Sequence, residues 1–423
     1  MVGQCSRAVK IGWGVGCLVG LLAWALSANG AAASSQAHVI ERLQISGAKR
    51  TQYEAFVTLL PRVPPAWYDD AELEEFARRL SNLAIFDHVA VERAGTELHI
   101  VVREKWTLIP EFSLATGKSA ADLAIEVGAT EHNIMGRGAR LEVSVARQQR
   151  GFNFVVGLND HLYGQRRWAR GVVLSYTTSS FRFEGGQGWL VNVPKWVAWT
   201  SSPPLLSRYL RYQTGLTLQR EQMTQVRPGA SPPNGYALQV GMGLTYDRYH
   251  WHDLTPHGIS LSVAVGPGFL APAAQPRHFA ELTLRAALPV ARRLVLATRV
   301  MASVNSRGNP NASSLVGSIQ GVRGLSDSLY RNWAQAFANV ELRQAVPVLD
   351  RLAVQAVLFA DAAAFQRLSP AGSRAERVTA LSLGTGLRLL PTFIAEAVLR
   401  IDVARLLMPA QVWFSQLGFT QYF

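Results

Sequence analysis

The sequence predicts a mainly β protein: a sixteen-stranded antiparallel transmembrane β-barrel, residues 106–423, preceded by one small α+β domain, residues 38–105. Between Trp106 and Phe423, about sixteen segments of nine or more residues alternate in polarity. At roughly twenty residues for each strand and turn, the spacing suits barrel strands of about 9–11 residues. Two further observations, the lack of a spanning helix in the pattern and an export-type N-terminus, support this fold class.

Apolar residues are abundant but are spread over many short segments. The chain is 48% hydrophobic and only 17% charged. Beyond the N-terminus, its longest stretch without a charge, Leu254–Pro276, is interrupted by prolines and glycines. A spanning helix needs about 20 continuous apolar residues, and a proline inside a helix costs about 3 kcal/mol. The pattern therefore favours membrane strands over membrane helices.

The N-terminus, residues 1–33, has the pattern of a secretory signal peptide. Arg7 and Lys10 precede an uncharged segment, Ile11–Leu26, and a small-residue segment with a cleavage site such as Ala31–Ala33 follows. The alternative interpretation is a short N-terminal membrane anchor. Both cysteines of the chain fall within the leader, so the exported protein is expected to have no thiol, disulfide or cysteine-based metal site.

The chain is strongly basic, with a formal net charge of +13. Clusters such as Arg147–Arg150 and Arg166–Arg170 would suggest nucleic acid in a cytosolic protein. An exported protein rarely meets nucleic acid, so we expect lipopolysaccharide phosphates or an acidic substrate in the lumen instead. A basic but unspecialised barrel lining is the alternative.

The small domain is predicted to have the element order β-α-α-β-β. Asp69 and Asp70 offer an N-cap and a negative first turn to the second helix, in which apolar residues recur at helical spacing. Gly47 ends the first strand. The predicted elements are Val39–Ile45, a helix over Thr51–Leu60, the helix that begins at Asp70, and strands Val89–Arg93 and Glu97–Arg103.

Charged residues alternate with apolar ones along the predicted barrel strands. Asn339, Glu341 and Arg343 alternate with apolar residues on one predicted strand, and Arg400 and Asp402 alternate with apolar residues on another. Moving Arg400 into lipid by a one-residue shift costs about 2–4 kcal/mol near the bilayer midplane. These charges are therefore predicted to line the lumen. A soluble β-sandwich would also alternate, but it would not account for the export-type leader.

Several segments resemble a known family, in the same order along the chain. Leu80–Val91 followed by Leu98–Lys105 resembles a POTRA domain. Gly128–Gly138, Gly321–Leu325 and Phe359–Ala363 are similar to barrel segments of the BamA/TamA outer-membrane superfamily, the bacterial surface antigen family. Leu325 stands where that family has an aromatic residue, and Ala363 where it has glycine. The resemblance implies one POTRA domain in front of a barrel with a loop folded into its lumen.

The tip of this inward-folded loop is Val322-Arg323-Gly324. Arginine offers five donors in a planar fork, and a carboxylate accepts two of them. We predict that Asp361 binds Arg323, with Glu341 as the second candidate acceptor. In the alternative, Arg323 fills the lumen without a partner.

A second candidate site is the seam where the first and last barrel strands meet. Pro110 removes a hydrogen-bond donor from the first strand, and Gly418 weakens the interior of the last. The resemblance implies that this seam opens sideways to admit client strands. In the alternative interpretation, Pro110 and Gly418 are ordinary residues near turns of a static barrel. The terminal Phe423 resembles the signal by which bacterial barrels reach their assembly machinery.

No enzymatic motif is complete. Thr116–Ser119 lacks the first glycine of a phosphate-binding loop, and no Gly-x-Ser-x-Gly elbow occurs. His250–Asp253 falls at a predicted strand end, where a metal site is not favoured. We therefore predict no catalytic, cofactor-binding or metal residues, and no cofactor.

The leading functional hypothesis is that the protein assembles or translocates polypeptides at the outer membrane, with the POTRA domain in the periplasm. The expected partners are unfolded outer-membrane or secreted polypeptides, outer-membrane lipid or lipopolysaccharide, and periplasmic chaperones, but no nucleic acid. The alternatives are a passive or lipid-interacting barrel and a single-client two-partner secretion transporter. Such transporters usually carry two POTRA domains and a plug helix, which this sequence does not show.

Overall fold

The computed structural model describes most of the chain from residue 37 onward. The predicted leader and Phe423 lie outside the described residues. The described ranges are 37–83, 85–115, 124–148, 151–163, 168–182, 188–205, 209–226, 234–252, 254–306, 314–315, 321–325, 331–367, 376–395 and 397–418.

The small domain contains two helices and five strands. In chain order they are β1 (Ala37–Ile40), β2 (Arg42–Ser46), α1 (Tyr53–Leu59), β3 (Ala66–Asp69), α2 (Asp70–Asn82), β4 (Phe86–Ala94) and β5 (Glu97–Glu104). β1 pairs with β3, whereas β2, β5 and β4 form a second sheet in that order, with β2 parallel to β5. Tyr68, Phe56, Phe76, Leu80 and Ile100 are fully buried in the core between these elements.

The first strand differs from its prediction. The segment predicted as one strand, Val39–Ile45, breaks at Glu41 into β1 and β2, which belong to different sheets. β3 was not predicted, because four residues are too few for an alternation to be recognised and because its partner, β1, lies far away in the sequence. The two helices and the last two strands lie where they were expected, within a few residues.

Helix α2 begins with a reciprocal capping box. The Asp69 carboxylate accepts a hydrogen bond from the Glu72 backbone N–H at 2.7 Å, and the Glu72 carboxylate accepts one from the Asp69 N–H at 3.1 Å. Two backbone donors without helical partners are satisfied in this way. The cap fixes the start of the helix that later contacts the barrel.

The barrel is a closed antiparallel sheet of sixteen long strands, which confirms the predicted architecture. The long strands are β6 (Leu108–Ala115), β7 (Ala124–Ile134), β8 (Ala139–Gln148), β9 (Gly151–Tyr163), β10 (Trp168–Arg182), β11 (Gly188–Ser201), β12 (Leu210–Val226), β13 (Gly235–Asp247), β15 (Thr255–Gly266), β18 (Phe279–Ala291), β19 (Leu294–Asn305), β21 (Arg331–Leu349), β22 (Leu352–Arg367), β23 (Glu376–Pro391), β24 (Leu399–Met408) and β25 (Val412–Gly418). Short strands β14 (His250–His252), β16 (Gly268–Ala271), β17 (Gln275–Pro276) and β20 (Ser314–Leu315) extend the hairpins.

The two faces of the barrel wall have opposite polarity. On the outer face large apolar side chains are exposed, among them Val145, Leu174, Leu218, Leu244 and Leu358. Their strand neighbours point inward and include the buried charges predicted from the alternation. An apolar outer band around a polar interior is the surface of a barrel in a lipid bilayer. Of the helices in the described part of the chain, none is long and apolar enough to cross a membrane.

The small domain lies at one end of the barrel, which we call the domain end; the opposite end is the far end. The Gln52 backbone N–H donates to the Gly136 carbonyl in the β7–β8 turn at 2.8 Å, and the Asn133 amide donates to Thr51 Oγ1 at 3.0 Å. Gly136 has a φ of +68°, and an added Cβ would lie 2.1 Å from the Arg50 carbonyl oxygen. Glycine at 136 therefore permits the close approach of the domain.

Helix α2 makes the second contact with the domain end. The Asn82 side-chain amide donates to the Tyr249 carbonyl at 3.2 Å. The Arg78 guanidinium lies 5.7 Å from the centre of the Tyr209 ring. Together with the β7–β8 contact, these interactions support the domain on three separate turns of the barrel.

Glu104 organises the loop that contacts the barrel. Its carboxylate accepts hydrogen bonds from the backbone N–H groups of Arg50 at 3.0 Å and Thr51 at 2.8 Å. Partial burial acts to raise the pKa of Glu104, but these bonds favour the charged carboxylate more strongly and hold the pKa below its ordinary value. The charged carboxylate therefore stabilises this loop.

Glu104→Gln is expected to release the loop, because a neutral amide is a weaker acceptor and hydrogen bonds to charged groups contribute about 1.5–3 kcal/mol. Amide hydrogen exchange at Arg50 and Thr51 should become about tenfold faster or more, measured by mass spectrometry on the intact protein. Since the folded pKa is lowered, protection in the wild-type protein should be present at neutral pH and be lost as the pH falls through that lowered value. Glu97→Gln, at a half-buried position of the same strand, is the matched control. Equal exchange in both variants would contradict the role of Glu104.

Candidate functional site

A short loop segment, Gly321–Leu325, is folded into the barrel lumen between β19 and β21. Val322 and Arg323 are fully buried, and Leu325 is 1% exposed. The Leu325 backbone N–H donates to the Val322 carbonyl at 3.2 Å, which closes a tight turn. Gly324 has a φ of +91°, a conformation that favours glycine. The predicted loop tip therefore lies inside the barrel as a compact turn.

Apolar contacts hold one side of this turn. Val322 and Leu325 pack in a buried cluster on side chains of β21, β22, β23 and β24. The strand residues of the cluster are Phe337, Ala363, Phe365, Ala380 and Leu406. Leucine at 325 thus occupies a fully apolar position.

The other side of the turn is held by Arg323. Its Nε donates to Asp361 Oδ2 at 2.7 Å and its Nη2 donates to Asp361 Oδ1 at 2.8 Å. The Arg323 backbone N–H also donates to Asp361 Oδ2 at 3.1 Å. Asp361 on β22 therefore accepts hydrogen bonds from both the guanidinium group and the backbone N–H of Arg323. The two guanidinium bonds have the bidentate geometry that arginine favours.

Glu341 is the second acceptor of Arg323. Arg323 Nη1 donates to Glu341 Oε1 at 2.7 Å, and both side chains are fully buried. The guanidinium carbon lies 3.3 Å from the centre of the Phe359 ring, which places the cation on an aromatic face. The structure thus brings Arg323, Asp361 and Glu341 together, as the residue types predicted.

The contacts extend into a larger group of buried polar side chains, which we call the lumen network. Asn339 connects the loop to the strands: its amide donates to the Gly321 carbonyl at 2.7 Å and to Asp361 Oδ1 at 2.8 Å. Glu341 Oε2 accepts from Arg343 Nε at 2.7 Å, and Asp402 Oδ1 accepts from Arg388 Nη1 at 2.5 Å. The members are Arg299, Arg323, Asn339, Glu341, Arg343, Asp361, Arg388, Arg400 and Asp402.

Within this network the arginines outnumber the carboxylates. A buried charge without a partner costs several kcal/mol, and two of the three carboxylates, Glu341 and Asp402, each lie near more than one cation. Glu341 lies within 3.6 Å of Arg388 as well as contacting Arg323 and Arg343. Asp402 lies 3.6 Å from both Arg323 and Arg400. Losing one member therefore leaves several charges uncompensated.

Two glycines on β23 make room for the network and were not singled out in the sequence. A Cβ at Gly386 would lie 2.0 Å from Asp402 Oδ1, and one at Gly384 would lie 2.3 Å from the Phe359 ring. Arg388, the next inward residue, was also missed as a partner of Asp402. Gly384, Gly386 and Arg388 follow one another at intervals of two residues, so they lie on the same face of the strand. This spacing is the sequence signal that could have identified them as lumen residues.

At the seam, β25 pairs with β6. Among the described residues, the ladder joins Ser113–Ala115 to Gln416–Gly418, at the far end of β6. Gly418 is paired with Ser113, whereas Pro110 lies nearer the domain end, opposite Ala129 of β7. Phe423, the third predicted seam residue, lies outside the described part of the chain.

The domain end of β6 is held by a different element. The Trp106 backbone N–H donates to the Phe393 carbonyl at 2.8 Å, and the Ala395 N–H donates to the Trp106 carbonyl at 2.9 Å. This parallel bridge connects the start of the first strand to the turn between β23 and β24. Ile109 packs against Ala395 in the adjoining apolar cluster.

Arg323→Ala is expected to release the loop tip, because breaking a buried ion pair costs about 3–5 kcal/mol. In a Val322→Cys background, where the wild-type site is fully buried, reaction with a maleimide should accelerate at least about tenfold. Arg285→Ala, which removes an exposed lumen-facing arginine on β18, is the matched control. Equal labelling rates in the two variants, with both barrels folded by heat-dependent gel mobility, would exclude the anchoring role.

Comparison with known proteins reveals similarity in structure only. No protein-family model matches the chain, and no curated protein matches its sequence. CdiB from Escherichia coli is similar, with a TM-score of 0.68 and 13% identity, over 90% of this chain and 76% of that one. CdiB from Acinetobacter baumannii matches with a TM-score of 0.63 and 12% identity, over 90% and 73% of the two chains.

BamA from Haemophilus ducreyi, in a structure that lacks POTRA domains 1–3, matches with a TM-score of 0.54 and 13% identity. The match covers 90% of this chain and 84% of the BamA chain. At this identity the likeness concerns the fold. The chain therefore has the sixteen-stranded fold of the BamA and CdiB barrels, in agreement with its sequence motifs.

Proposed function

We propose that this protein assembles or translocates polypeptides at the outer membrane by pairing client strands with its seam, without catalysis. The observation that carries the proposal is the sixteen-stranded fold that the chain shares with the BamA and CdiB barrels, combined with a loop held in the lumen by buried ion pairs. In a barrel closed by its first and last strands, parting of β6 from β25 would expose two strand edges to a client. Unpaired strand edges are templates for a further strand.

The filled lumen argues against the alternative of a passive pore. Arg323, Glu341, Asp361 and Asp402 are fully buried, so in the described structure water does not reach the centre of the anchor. Conduction through the part of the lumen that the loop occupies would require the loop to leave its network, and the cost of separating buried charges opposes this movement. Sideways opening at the seam leaves the network intact.

The outer-membrane location and the orientation are parts of the proposal. The apolar outer wall and the likeness to BamA and CdiB support an outer-membrane barrel. We place the small domain in the periplasm, where β2 and β4 form the two edges of its three-stranded sheet. These edges are suited to receive an extended client segment before the client reaches the barrel. Periplasmic chaperones that deliver clients are the second class of partner.

A disulfide between Ser113→Cys and Gly418→Cys is expected to abolish client handling. The two residues are paired across the seam, and an added Cβ at 418 would lie 3.8 Å from Ser113 Oγ, so the two introduced thiols would face each other. Because opening would require this bond to break, client levels should fall to those of a strain without the protein and recover with reductant. Quantitative proteomics of outer-membrane and secreted fractions measures both.

The control for this crosslink joins Ser113→Cys to Glu126→Cys, its partner on β7. This bond ties the same strand to its other neighbour and leaves the seam free. It should not change client levels. Full activity in the oxidised seam variant would refute opening between β6 and β25.

Deletion of residues 38–105 distinguishes client handling from the passive alternative. A client-handling protein without its domain should lose delivery, so the same outer-membrane or secreted proteins should decrease as in the crosslinked strain. Immunoblotting of the barrel and its heat-dependent gel mobility verify that the shortened protein still folds. Unchanged client levels with a folded barrel would favour a pore or lipid-interacting role.

A further inference from the structure

The outer wall at the far end carries a groove between aromatic side chains and one arginine. It crosses β9 to β13, on the face of the barrel that meets lipid. Its outward-facing lining includes Phe154, Tyr176, Pro194, Trp196, Arg220 and Tyr236. Pro194 contributes only a small ring between its larger neighbours, which leaves the depression open.

The height of Arg220 on the wall follows from the strand register. One level nearer the domain end, the outward residues are apolar, with Trp196 opposite Leu218 and Leu218 opposite Leu238. One level nearer the far end they are polar, with Asn192 opposite both Thr178 and Gln222. Arg220 therefore lies at the boundary between the apolar band and water, the level of lipid headgroups.

Arg220 is exposed. Across the strands it faces Tyr236, and its guanidinium carbon lies 5.8 Å from the centre of that ring. Among the described residues, no carboxylate lies within ion-pair distance of Arg220. By contrast, Arg170, an outward arginine at the domain end, is placed opposite Asp160. Within the described part of the wall, Arg220 is thus a cation at the membrane boundary without a carboxylate at ion-pair distance.

We infer that this groove binds lipopolysaccharide, with Arg220 contacting a phosphate of the headgroup and the groove below it receiving an acyl chain. Arginine binds phosphate through two parallel donors, and this interaction is strong at a poorly hydrated membrane boundary. Tyr176, Trp196 and Tyr236 offer amphipathic rings to the sugar and the upper acyl chain. A phosphorylated glycolipid supplies a partner for each feature of the groove: a phosphate for Arg220, sugar rings for the aromatic side chains, and an acyl chain for the depression below them.

The inference rests on the proposed orientation, because lipopolysaccharide occupies the outer leaflet and the groove must lie there. It adds a fixed site on the barrel wall to the general expectation of lipid contact. A bound lipid at β9 to β13 would lie well apart from the seam between β25 and β6. The site therefore anchors the barrel wall without obstructing the entry of clients.

The binding test uses the full-length protein in detergent micelles, with diphosphoryl lipid A as the probe and native mass spectrometry as the measurement. Arg220→Ala should lower lipid A occupancy at least tenfold, and dephosphorylated lipid A should bind as weakly to the wild type as diphosphoryl lipid A binds to the variant. Arg147→Ala is the matched control, since Arg147 is also exposed on the outer wall, on β8 opposite Phe152. Unchanged binding in Arg220→Ala, or an equal loss in Arg147→Ala, would overturn the site.

A second measurement separates the site from the orientation. In a variant of the exported chain with Arg220→Cys as its added cysteine, a membrane-impermeant maleimide should label intact cells from outside. Absence of labelling, with the barrel present and folded, would overturn the orientation on which both this inference and the proposed function rest. Labelling combined with unchanged lipid A binding in Arg220→Ala would overturn the lipid site alone.

Discussion

The buried guanidinium of Arg323 is the constraint around which the lumen is arranged. A charge removed from water must be matched by partners of fixed geometry. Asp361 and Glu341 supply this match from two adjacent strands, and Phe359 supplies the aromatic face beneath it. Gly384 and Gly386 keep the next strand free of side chains where the ring and Asp402 need space. Loop, strands and glycines therefore form one unit.

The strands that carry the lumen network are extensively paired. β21, β22 and β23 are the longest of the strands that carry the network, and their ladders extend over almost their full lengths. At the seam, the described ladder joins Ser113–Ala115 to Gln416–Gly418, and the start of β6 is bonded to the β23–β24 turn. The inward-folded loop is therefore anchored to long and extensively paired strands of the wall.

Much of the barrel could be predicted from sequence because the alternation of polarity is a property of each strand by itself. Lipid outside and water inside impose a period of two on every strand, and this period reveals both the strand number and the inward charges. The pairing of Arg323 with Asp361 followed from residue chemistry and the resemblance of the motifs. The break at Glu41, strand β3 and the contact of Arg388 with Asp402 did not, since each depends on which distant segments become neighbours.

The attachment of the small domain has a mechanical consequence. Only Lys105 separates the last strand of the domain from Trp106, and the Lys105 N–H is itself bonded to the Ile85 carbonyl at 2.8 Å. No slack therefore exists between the domain and the first barrel strand. Because Lys105 and Trp106 are both hydrogen-bonded, any displacement of the domain relative to the barrel would be transmitted directly to the start of β6.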